Sequence, residues 1–168
     1  DAPSDSATAD TTTLNEQVLE TLANADYALV DHGENDINKV IFTITNVEDA
    51  ANEKLTFDGE QIALNAVSGA TTANRYDYAI TNSGKTYTVT FTLASQAEAD
   101  TQNRIKAASY IYDSDAPVEG SARAVSVQVQ DTAGNTSDAL SLNTITIAAV
   151  DDAPSDSATA DTTTLNEQ

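Results

Sequence analysis

Seventeen residues of this chain occur twice. Residues 1–17 read DAPSDSATADTTTLNEQ, and the same letters return unchanged at 152–168, an offset of 152 − 1 = 151 residues. Solenoid units and propeller blades repeat at about 20 to 50 residues, so a period of this size belongs to a whole domain. The chain therefore reads as one full repeat of a tandem array plus the start of the next. A segment duplicated by cloning is the duller explanation. Against it, the apolar run before the second copy flows straight into it as ITIAAVDDAPSDS, with no glycine-serine scar. On this reading residues 1–10 are an inter-domain linker, 11–151 the folded domain, and 152–168 the opening of a neighbouring identical repeat.

The core has to come from a narrow alphabet. Of 168 residues 40% are hydrophobic, enough for one core, yet there is no Trp, Met or Cys. Val, Ile, Leu, Ala and a few Tyr and Phe must fill it, and the β-branched share favours strands. Without cysteine there is no disulfide, thiolate metal site or thiol nucleophile. No run of about 18 apolar residues offers a spanning helix.

Charge narrows the partners. The chain carries 27 acidic against 7 basic residues, net −20. Nucleic acid and anionic lipid both need a basic footprint, so neither is expected as a partner, and the module itself is expected to be monomeric. The carboxylates either solvate a stalk by mutual repulsion or gather to hold hard cations.

Along the chain, period-2 alternation and turn residues predict strands near 11–14, 40–45, 54–57, 61–64, 75–81, 85–93, 108–112, 122–130 and 140–150. Asp58-Gly59 and Asn82-Ser83-Gly84 are hairpin turns. Residues 95–106 break the pattern; with Ser95 as N-cap and Glu98 three residues on, they predict one short helix. Seven to nine strands, one helix and one core indicate an all-β fold, an antiparallel immunoglobulin- or cadherin-like β-sandwich, with a barrel second.

In such a sandwich the chain changes ends at every turn. Counting strands from the start and back from the end puts Asp1, Asp31, Glu34, Asp36 and Asp131 at a first pole, and Glu16, Asp151 and Asp152 at a second. In a tandem array the second pole of one module faces the first pole of the next. So many carboxylates at one junction call for neutralising cations, and a Cys-free set of oxygens suits Ca²⁺.

The ending ITIAAVDDAPS, the turn VQDTAGN, the loop DHGEND and the TLNEQ step, together with NKVIFTITNVEDAANEKLTFDGEQIAL, resemble the cadherin-like repeats of giant bacterial adhesins of the RTX type. That resemblance implies an extender module on the bacterial cell surface, standing between a membrane anchor and a ligand-binding tip. It also implies calcium ligands at Glu16, at Asp31 with Asp36, at Asp131, and at Asp151 with Asp152. Two departures stand out. The linker lacks the longer acidic run of animal cadherins, which implies fewer than three ions per junction, and DHGEND has one residue too many for a plain D-x-D.

Other residues have plainer readings. His32 is a solvated loop residue rather than a ligand. DHGEND lacks the Gly and Glu of an EF-hand loop. Asp113-Ser114-Asp115 reads as a turn before Ala-Pro, with a second calcium site as the alternative. Nothing marks a catalytic cleft, so the chain is not expected to be an enzyme. A ligand-binding module of the same adhesin, and more remotely a hydrolase, are the competing functions.

Overall fold

The computed structural model describes residues 1–31, 36–71 and 76–150. Among them thirteen strands and one helix follow in order: β1 (Ser4–Ser6), β2 (Asp10–Asn15), β3 (Glu20–Thr21), β4 (Ala28–Val30), β5 (Ile37–Ile44), β6 (Glu53–Phe57), β7 (Glu60–Ala63), β8 (Gly69–Ala70), β9 (Tyr76–Ser83), β10 (Thr86–Gln96), α1 (Glu98–Lys106), β11 (Ser109–Tyr112), β12 (Arg123–Asp131) and β13 (Leu140–Ala148). Four of these are only two or three residues long, so nine substantial strands remain. The fold is the expected all-β sandwich.

A seven-stranded sheet, β2-β13-β12-β5-β10-β9-β8, lies opposite a four-stranded sheet, β3-β11-β6-β7, and β1 pairs with β4 beside them. Alternation decides what faces inward. In β12 Val125, Val127 and Val129 are buried while Ser126, Gln128 and Gln130 lie at the outer face, as period 2 requires. Phe57 from the smaller sheet stacks on Phe91, with centroids 4.4 Å apart, and meets Phe42 and Tyr76 edge-on at 5.8 and 5.7 Å. This aromatic knot joins the two sheets where disulfides are impossible.

Three local expectations change. The pairing is not wholly antiparallel: β2 runs parallel to β13, from Asp10 opposite Asn143 to Asn15 opposite Ala148. The β9–β10 turn falls on Gly84-Lys85, because Ser83 still pairs with Thr86, and Gly84 takes the positive φ of 59° that the turn needs. The helix starts at Glu98 with no side-chain cap. Ser95 and Gln96 extend β10 instead, and the Ser95 hydroxyl is spent on the Asp36 carboxylate. Asp58-Gly59 does form the tight turn between β6 and β7, both residues at positive φ.

One charged pair crosses the core. Arg123 on β12 and Glu53 on β6 are both fully buried. The guanidinium donates to both carboxylate oxygens, Nη2 to Oε1 at 2.9 Å and Nε to Oε2 at 3.2 Å. Its remaining N–H groups reach the carbonyls of Val118 (3.0 Å), Ser121 (3.1 Å) and Glu119. Glu53 also accepts from the amides of Glu48 (2.8 Å) and Asp49 (3.0 Å) and from the Tyr110 hydroxyl. Burial pushes the Glu53 carboxyl up, but the hydrogen bonds from Arg123 and Tyr110 outweigh it and hold the group below its ordinary value. Its contribution to stability is therefore present above the ordinary Glu range and lost as pH falls through the depressed value.

Removing one partner strands the other charge. Arg123→Met is expected to cost about 3–5 kcal/mol, a fall in Tm on the order of 10 °C, measured by thermal and denaturant unfolding. A Glu53→Leu/Arg123→Met double substitution is expected to stay well below wild type, since the amides of Glu48 and Asp49 and three loop carbonyls then lose their partners. Recovery to wild-type stability would show the pair to be dispensable.

Candidate cation-binding poles

The parallel pairing of β2 and β13 brings their C-terminal ends together at the second pole. Just beyond, Glu16 turns inward and is 8% exposed. Its Oε1 accepts from the Val150 amide at 3.1 Å; its Oε2 is buried with no hydrogen-bond partner. The neighbouring Glu119 carboxylate accepts from the Ala149 amide at 3.2 Å. Gln17, at φ 59°, donates its amide to the Tyr112 carbonyl at 2.8 Å and its side-chain NH₂ to Asp115. Asp113 pairs with Lys54 at 2.5 Å. Both acids of the Asp113-Ser114-Asp115 loop are thus engaged by side chains of the domain.

At the other end, Asp131 stands opposite Ile37, and the Thr132 amide donates to the Asp36 carbonyl at 2.9 Å. The Asp131 carboxylate accepts from the Asn135 side chain and amide, each at 2.8 Å. The side-chain bond, ahead of the opposing effect of burial, holds Asp131 below the usual carboxylate range. Asp31 follows β4, and its amide donates to the Glu98 carboxylate at 2.8 Å. Asp1 is exposed and precedes β1, whose Ser4 pairs with Val30. Residues 1–10 lie on the domain: Pro3 is buried, β1 adds to β4, and Thr8 donates through its amide and hydroxyl to Asp26 at 3.0 and 2.6 Å.

Asp1, Asp31, Asp36 and Asp131 therefore gather at one end of the sandwich and Glu16 at the other, while Glu34, Asp151 and Asp152 lie outside the described residues, as does His32. Among the described residues no three His, Cys, Asp or Glu side chains are disposed to hold a metal ion together. Glu98, Glu119 and Ser95 are the polar residues at the poles that strand counting missed. Glu98 was legible only as a helix cap, and its carboxylate went to the Asp31 amide just past β4 because α1 packs against that strand, where Gln102 also accepts from Leu29. The donors fit a hard cation at the second pole best: a buried carboxylate oxygen without a protein donor is the group that a bound ion would satisfy. At the first pole Asp36 and Asp131 already accept hydrogen bonds, so an ion there would use their remaining lone pairs.

Compared with protein-family models, with curated proteins and with solved structures, the chain matches none.

Close to the first pole, Asp5 of β1 lies in a cavity of ≈ 240 Å³ with Pro3, Ser137 and Asp138. Burial raises its carboxyl to about 6, against weaker opposing hydrogen bonds from Ser137 and from Tyr27, the latter 3.5 Å away. A raised carboxyl favours the fold while protonated, so this stabilisation is complete below the ordinary value of 3.8 and is lost as pH rises through about 6. Asp5→Asn is expected to match wild type in Tm at pH 3.5 and to exceed it by about 2–4 °C at pH 8, the shift that ~1 kcal/mol produces once screening of a half-exposed group is allowed for. Equal melting at both pH values would show the carboxyl to be fully solvated.

Proposed function

We propose that the chain is a structural spacer, an extender module of a tandem-repeat bacterial surface adhesin, working outside the cell with Ca²⁺ bound where one repeat meets the next. The observation that carries this reading is the buried, unpartnered Glu16 oxygen at the second pole, hydrogen-bonded through its other oxygen to the last described residue before Asp151-Asp152. In a tandem chain the first-pole acids of the following repeat, Asp31, Asp36 and Asp131 in its own copy, would approach that point. Bound calcium supplies charge neutralisation and a fixed hinge; the residues of this chain supply oxygens from Glu16, Asp151 and Asp152 on one side. A load-bearing role is supported by the strand order. The chain enters β2 from the first pole and leaves β13 at the second, so tension slides six parallel residue pairs past one another and loads their hydrogen bonds together rather than one at a time.

The test is a protein of two or more repeats. Extracellular modules bind calcium at roughly 10⁻⁴ to 10⁻³ M. Added in that range, the ion is expected to lengthen the particle in small-angle scattering and narrow its distribution of shapes, and a chelator to reverse both. Glu16→Gln and Asp152→Ala are each expected to weaken the response without unfolding either neighbour. Identical scattering with calcium and with chelator would remove calcium from the mechanism.

A further inference from the structure

We propose that the slot filled by β1 and β2 is an exchangeable docking site, and that its partner is the second copy of the same sequence, residues 152–168, supplied by another molecule of this chain. The inference rests on the fold and the repeated sequence and is independent of calcium. Every group with which this segment holds the domain lies within residues 1–17. Leu14 is 1% exposed in the core; Thr12 donates to Asn143 at 2.8 Å; Glu16 accepts from Val150; and the Gln17 amide donates to Tyr112. Each has its identical counterpart, Leu165, Thr163, Glu167 and Gln168. In its strand pairing the segment is held along one side: among the described residues β2 is an edge strand paired with β13, and β1 is paired with β4. It can leave without parting the two large sheets, and its replacement by the same residues restores the same contacts. Connectivity and concentration then decide which copy is bound.

Reach excludes the molecule's own second copy from the whole slot. The counterpart of β1 is residues 155–157, five residues past Val150 at the second pole, a span of about 17 Å at most. The β1 position lies at the first pole, and the nine residues of β13 alone measure about 30 Å. A second molecule meets no such limit. Its binding is heterologous, second copy to slot, so it propagates head to tail.

The full chain is compared with Leu14→Asp, Leu165→Asp and the double substitution, by light scattering on size-exclusion chromatography and by thermal unfolding across a hundredfold range of concentration. Leu165→Asp is expected to remain monomeric and to melt with wild type. Leu14→Asp is expected to form dimers and longer species, with a Tm that climbs with protein concentration, because a neighbour's intact copy now outcompetes the damaged strand. The double substitution should be monomeric, with a lower Tm that concentration does not move. Should the single variant be too unstable to study, a synthetic peptide of residues 152–168 added to the double variant should raise its Tm saturably. A monomeric Leu14→Asp with a concentration-independent Tm, or a peptide without effect, overturns the proposal.

Discussion

The sandwich is organised around a charge that cannot leave the core. Arg123 occupies an inward position on a strand whose next three inward residues are valines, and it is tolerated there because all five of its N–H groups have acceptors. Three of those acceptors are carbonyls of the loop between β11 and β12, which is otherwise without regular structure. The pair therefore does more than tie sheet to sheet. It fixes the path of that loop, and the loop carries Glu119, whose carboxylate receives the chain as it leaves β13. Disturbing the centre of the domain would thus be felt at the second pole. In a chain with no cysteine, one buried guanidinium fills the place of a cross-link, at the cost of leaving several groups unsatisfied if it is lost.

Much of this could be read from the letters alone, and the remainder has identifiable causes. The alternation in β5, β10, β12 and β13 was clear because each has one dry face and one wet one, which is the condition for a period of 2 to be visible. Strand parity sorted Asp1, Asp31, Asp36 and Asp131 to one end and Glu16 to the other, since it needs only the order of the turns. The short strands β1, β3, β4 and β8 escaped because two or three residues, whatever their polarity, are too few to show a period; they exist through their partners. The Ser95 cap failed because β10 had a neighbour to pair with for longer than its apolar pattern lasted. The buried pair was within reach of the sequence: Arg123 is in phase with Val125, Val127 and Val129, and Glu53 with Leu55 and Phe57. One charge on an otherwise apolar face, met by its opposite on another, is a prediction of a core ion pair.

The two poles differ in how their acids are held. Asp31, Asp36 and Asp131 sit where strands end and a turn begins, and backbone amides and small polar side chains of those turns already share the work of stabilising the carboxylates or their neighbours. Glu16 sits beyond the last pair of a parallel ladder, where few amides remain to be shared. The poles therefore differ in how many donors within the domain each carboxylate finds, rather than in charge alone.

The pairing of β2 with β13 also sets the order in which the domain can be completed. Asp10 meets Asn143, so the first long strand to be synthesised finds its partner only when the last one exists. Contacts of such sequence separation close late and slow the folding of β-rich chains, because the loop entropy is lost before the contact returns anything. Until then β12 exposes the edge that β13 will cover, and β2 has no ladder to join. Any chain released short of Leu140 keeps both liabilities. Wherever unfinished copies of the chain meet, they present the same complementary edges to one another, so the speed with which the closing strand arrives bears directly on whether they fold singly or entangle.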